Sequence, residues 1–182
     1  MFRWFKHGSP GPTAALAMIG PKAADTVVFV GARHPSLAAE TGTVTRLNGR
    51  TVVVGRGADA AAAVERAAEQ AGALLEFIDA PADALPFDAA SCRIVVLTDL
   101  ADWPADQRTT RVHEAVRVLE PGGRVVVMMG GAGGLLGRLT PSPSVDADAV
   151  IGLLTRSGLV AARKLAEADR VTYYEARKAR EG

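Results

Sequence analysis

The sequence has few of the residues that build metal centres and redox sites. It contains one cysteine and three histidines in 182 residues, so no internal disulfide can form, and no Cys/His/acid cluster has metal-ligand spacing. These absences predict a reduced compartment, taken as cytoplasmic, and no bound metal. Aromatic residues make up only 5%, and no apolar run approaches the length of a membrane-spanning helix. The opening MFRWFKH mixes aromatic and basic residues, but it is too short to anchor the chain alone, so membrane contact by this arm is not expected. There is also no excess of one charge. Lys and Arg number 21 against 20 Asp and Glu, a net charge of +1 without a basic stripe, so nucleic acid is not an expected partner.

Apolar residues, 48% of the chain, are abundant and ordered in runs. Valine-rich stretches of strand length fall at 26–30, 51–54, 74–78, 93–97 and 124–129. They are nearly continuous, as strands buried on both faces should be. Between them lie helical segments at 36–47, 59–71 and 105–119, with Asp59 placed to cap the second. This alternation predicts one domain over 1–182: an α/β, doubly wound, Rossmann-like sheet with right-handed crossovers. Ligand sites in such folds lie beyond the carboxyl ends of the strands. A Gly-rich stretch, a Pro/Ser-rich loop at 140–144 and a helix at 147–156 follow. Strands at 159–165 and 171–176, joined by a polar link at 167–170, predict an antiparallel hairpin at the sheet edge. Residues 1–12 are expected to form a flexible or interfacial arm, and 177–182 a frayed tail.

The stretch at 114–127, EAVRVLEPGGRVVV, resembles the approach to the fifth strand of class I S-adenosylmethionine-dependent methyltransferases of the type 11-like group. Leu85-Pro86-Phe87 stands where that family often carries an LPF triplet. The terminal GLLTRSGLV and VTYYEARK are similar to its closing helix and hairpin. The resemblance spans about 16–178 and implies seven strands in the order 3-2-1-4-5-7-6, with the seventh antiparallel. Read physically, Pro121-Gly122-Gly123 ends a helix and turns into a strand. Glu114 and Arg117, three apart, form an exposed helical pair contributing about 0.2–0.5 kcal/mol.

The resemblance implies S-adenosylmethionine as cofactor, held by an acid-x-Gly-x-Gly-x-Gly loop after the first strand. The corresponding residues are Phe29-Val30-Gly31-Ala32-Arg33-His34-Pro35. Gly31 alone is kept, Phe29 replaces the acid, and Arg33 and Pro35 replace the other glycines. The family's ribose-binding acid after the second strand is replaced by Arg56 and Gly57. After the third strand Pro81 stands at the adenine-binding acid, flanked by Asp79 and Asp83, and Arg93 replaces an aspartate before the fourth strand. Candidate cofactor-site residues are therefore Gly31, Arg33, Arg56, Asp79 and Asp83. Losing two carboxylate hydrogen bonds at about 1.5–3 kcal/mol each would weaken binding a hundredfold or more.

Asp99 and Asp102, with Trp103, follow the fourth strand where the family's catalytic groups commonly lie. They are the catalytic candidates if chemistry survives. Arg33, His34 and Arg56 share one sheet edge and could instead make an anion site. The glycines at 130–137 have the density of a dinucleotide phosphate loop but follow the wrong strand. His113 reads as a helical surface residue and Cys92 as a small core residue. The expectation is a methyltransferase-fold protein with an eroded S-adenosylmethionine site, a binding or regulatory module associating with itself or with a methyltransferase-like chain. The alternative is an active methyltransferase with an atypical cofactor loop.

Overall fold

The computed structural model describes residues 14–98, 100–130, 146–168 and 171–180. The expected arm at 1–12, the Pro/Ser-rich loop, Asp99 and nearly all of the Gly-rich stretch lie outside them. In chain order the elements are α1 (Ala14–Ile19), β1 (Thr26–Val30), α2 (Pro35–Thr45), β2 (Arg50–Gly55), α3 (Ala58–Ala71), β3 (Glu76–Asp79) and β4 (Cys92–Leu97). A short 3-10 turn (Leu100–Asp102), α4 (Ala105–Val118), β5 (Leu119–Gly130), α5 (Ala147–Arg156), β6 (Leu159–Ala168) and β7 (Val171–Lys178) complete it.

The seven strands form one sheet in the order β3-β2-β1-β4-β5-β7-β6. Pairings among β1 to β5 are parallel, and β7 runs antiparallel to both β5 and β6. The valine runs explain this directly. Alternate residues of each strand point to opposite faces, and here both faces are covered. Val28, Val30, Val52, Val54, Val95 and Leu97 pack beneath α4 and α5 with Val112, Ala115, Val118, Val150 and Leu154. Val27, Phe29, Val53, Ile94 and Val96 pack beneath α1, α2 and α3 with Leu16, Ile19, Leu37 and Val64.

Several expected boundaries shift for identifiable reasons. The third strand begins at Glu76, because Leu74 is 62% exposed and stays outside the sheet. The closing strands run further than expected, to Ala168 and Lys178, so Arg177 and Lys178 belong to β7. Of the hairpin, β6 is the edge and β7 lies inside the sheet. Pro121-Gly122-Gly123 does not separate helix from strand: β5 begins at Leu119, directly after α4. Pairing then passes from Cys92–Leu119 to Ile94–Arg124, with a register shift that loops out the intervening residues. A Cβ on Gly123 would stand 2.8 Å from the Glu120 carbonyl oxygen and 3.1 Å from that of Arg93, so this looped segment admits only glycine there. Asp59 is not the cap of α3. Gly57 holds the N-cap position without a side-chain bond, and Asp59 sits inside the first turn, where its charge favours the helix dipole.

Candidate functional site

Beyond the carboxyl ends of β1, β2 and β3 lies a cleft of about 490 Å³, lined by Gly31, Arg33, Arg56, Asp83, Trp103 and Arg111 over a wall of small residues. Its position follows from the fold, since loops leaving a parallel sheet at this end diverge to opposite faces. Gly31 turns the chain off β1 at φ 104°, and its N–H is spent on the Val54 carbonyl at 2.8 Å. At the end of β2, a Cβ on Gly55 would come within 3.1 Å of the Phe77 ring.

Two of the three arginines on this cleft are ion-paired. The Arg33 guanidinium, from the loop after β1, reaches across to the Asp102 carboxylate in the turn after β4. Arg56 lies 3.3 Å from Asp79, and Asp79 Oδ2 also accepts the Gly57 N–H at 3.1 Å. Asp79 thus binds the backbone at the start of α3 and is not among the residues lining the cleft. On the opposite side, the Arg111 guanidinium stacks 3.8 Å from the Trp103 ring centroid. Arg108 donates to the Trp103 and Ala101 carbonyls at 2.8 and 2.9 Å, fixing the turn that presents Trp103. His34 is half-buried and its Nε2 has no hydrogen-bond partner among the described residues. Burial, aided by the neighbouring Arg33 charge, holds its imidazole below the ordinary value and therefore neutral at pH 7.

The loop after β3 is held differently. Leu85 N–H donates to Glu114 Oε2 at 2.9 Å, while Arg117 donates to the Phe87 and Leu85 carbonyls at 2.9 and 3.0 Å and to both Glu114 oxygens. The expected minor helical pair is a clamp on the LPF triplet. The Arg117 hydrogen bond, with the Leu85 N–H, holds the Glu114 carboxyl below the usual carboxylate range against the opposing effect of burial.

Of the sequence candidates, the fold gathers Gly31, Arg33, Arg56 and Asp83 on the cleft and places Asp79 and Asp102 as partners of its arginines. Asp99 lies outside the described residues. Arg111 joins the cleft from α4, and its only mark in the sequence is a cation directly before the buried Val112–Ala115 stripe of that helix. His113 is exposed, and Cys92 is buried with its thiol pushed up by desolvation. Among the described residues no acid/His/Cys group could hold a metal, and no helix is long and apolar enough to cross a membrane.

The carboxylates that the resemblance implies around S-adenosylmethionine are present only in part, with Asp83 on the cleft. Gly55, Arg56 and Gly57 offer no carboxylate for ribose hydroxyls, Pro81 offers none to the adenine amine, and both Asp79 oxygens are already engaged.

Comparison with known proteins bears on the fold and the family. No curated protein matches the sequence. Among solved structures, an S-adenosylmethionine-dependent methyltransferase from Aquifex aeolicus superposes with a TM-score of 0.72 at 13% identity, over 92% of this chain and 88% of its own. The cyclase SpnF gives 0.70 at 14% identity, over 92% and 79%. A methyltransferase from Methanosarcina mazei gives 0.59 at 18% identity, over 86% and 93%. These likenesses show the fold. A family model described as a methyltransferase domain matches residues 32–127, just over half of the chain, and with this strand order the chain belongs to the class I S-adenosylmethionine-dependent methyltransferase-like family.

Proposed function

We propose that this protein keeps the methyltransferase fold while its cofactor site is eroded, and that it acts as a noncatalytic binding or regulatory module. The observation that carries this reading is the pair of ion pairs Arg33–Asp102 and Arg56–Asp79. They occupy the region where cofactor-binding relatives present glycine and free carboxylates. A methyl donor with a sulfonium charge would meet arginines there instead of acids, an electrostatic mismatch. The fold does not oppose this reading, since one architecture hosts many functions, and a structural neighbour is named as a cyclase. A partner of the methyltransferase type, in a homo- or hetero-oligomer, would supply the activity that such a module regulates.

Calorimetric titration with S-adenosylmethionine and S-adenosylhomocysteine tests the reading. No saturable binding is expected. Micromolar binding of either would overturn it in favour of an active methyltransferase with an atypical loop, for which the open cleft and the retained Gly31 turn are the favouring features. Light scattering of the purified chain, alone and with co-purified proteins, tests the partner: a monomer with methyl-transfer turnover of its own would sink that part.

A further inference from the structure

Three guanidinium groups line one cleft: Arg33 after β1, Arg56 after β2 and Arg111 on α4. Asp83 is the carboxylate among the described lining residues, and Asp79 and Asp102, outside the lining, pair with Arg56 and Arg33. Those two pairs face water, with Arg33 and Asp102 side chains 49% and 38% exposed and those of Arg56 and Asp79 69% and 54%. Exposed pairs are weak, so a stronger anion can recruit either arginine without unfolding anything.

Arg111 is set differently. Its stack on Trp103 and a 3.0 Å bond to Gln107 Oε1 fix the guanidinium plane. Its Nε is shielded from solvent and has no acceptor among the described residues. A buried donor without a partner is unfavourable, and this one belongs to a residue on the cleft. The rest of the wall, Val54, Ala60, Ala80 and Ala82, is small and apolar. Its volume of about 490 Å³ falls within the range of small-molecule sites, about 300–1,000 Å³.

We infer that the cleft binds a phosphorylated small molecule of nucleotide size, its phosphates held by Arg33, Arg56 and Arg111 and its organic part laid against the alanine wall. Planar guanidinium forks match phosphate oxygens, and three of them on separate elements suit a diphosphate better than a single carboxylate. The inference rests on the reading that the S-adenosylmethionine contacts are gone. It changes the expected ligand from a sulfonium cation to an anion.

The test is calorimetric titration of the full chain with adenosine diphosphate, with pyrophosphate and adenosine as separate arms and S-adenosylmethionine alongside. Saturable binding of the diphosphate is expected, weakened at least about tenfold by Arg33→Ala and by Arg56→Ala and falling with added salt. Asp79→Asn, which keeps an acceptor for Gly57 but removes the competing charge, is expected to strengthen it. Binding of pyrophosphate but not adenosine marks the phosphates as the recognised part. Silence from both phosphate probes, or unchanged affinity in the arginine variants with unaltered melting curves, overturns the inference. Silence from phosphates and S-adenosylmethionine together sinks this inference and leaves the eroded-site reading standing, whereas S-adenosylmethionine binding sinks that reading itself.

Discussion

Two sets of loops border the same cleft and are held by opposite means. The loop after β3 is gripped through its backbone: Glu114 accepts the Leu85 N–H, and Arg117 donates to the Leu85 and Phe87 carbonyls. Glu114 is only 18% exposed, and Leu85 itself is part of the core. The loops after β1 and β2 are joined to their surroundings by side-chain pairs open to water. The Leu85-Pro86-Phe87 triplet and the Glu114–Val127 stretch that resemble the methyltransferase family belong to the first set, and most of the departures, at Phe29, Arg33, Pro35 and Arg56, fall in the second, with Pro81 an exception in the loop after β3. Changes in a lone exposed pair cost a fold little, whereas changes in a partly buried clamp that joins several backbone groups remove several partners at once. A site can therefore be rewritten while its scaffold persists.

The largest expected effect on that contrast comes from Leu85→Ala. Emptying a buried leucine position should cost about 3 kcal/mol in urea unfolding, and a loss below about 1 kcal/mol would mean that the loop after β3 is no firmer than its neighbours. Arg117→Ala comes next, at about 2 kcal/mol, because it strips two carbonyls and the Glu114 carboxylate of their donor at once. Arg117→Lys should recover only part of this, since an ammonium cannot reproduce the fork; full recovery would show that the charge alone matters.

A smaller effect concerns acid. The Glu114 carboxyl is held below its ordinary value in the folded chain by Arg117 and the Leu85 N–H, so the unfolded chain takes up that proton more readily. The stability it contributes is complete above the unfolded value of about 4.3 and is lost as pH falls through the lower folded value. Urea midpoints measured across that window should decline with acidification, and Glu114→Gln should flatten the decline. An unchanged slope in the variant would remove Glu114 from the clamp. Smallest of all, Arg56→Ala should alter stability by no more than about 0.5 kcal/mol. A cost like that of Arg117→Ala would erase the distinction between the two sets of loops.

Much of the architecture was legible from residues alone. Runs such as Thr26–Val30 and Cys92–Leu97 carry no alternation because both sheet faces are covered, and that same continuity marks a parallel sheet. Boundaries were less legible where a neighbour decides them. Whether Leu74 joins a strand depends on what lies beside it, and Pro121–Gly123 reads as a helix stop until the pairing of β4 with β5 shows a looped-out segment.

At the site, the loss of glycines and acids after β1 and β2 was visible in single residues, because it is a matter of identity at a position. What replaces them was not. Asp102 meets Arg33, separated from it by three strands and two helices, and Asp79 turns to Gly57, only because the parallel order brings those loop ends together. Arg111 joins the cleft because one turn of α4 faces Trp103. Local sequence determined the strands, the helices and which residue types stand in the loops after β1 and β2, since each depends on side-chain pattern within a short span. The tertiary structure alone decided which charges meet and which of them line a common cavity, since ion pairs act over a few ångströms and chain separation says nothing about distance in space.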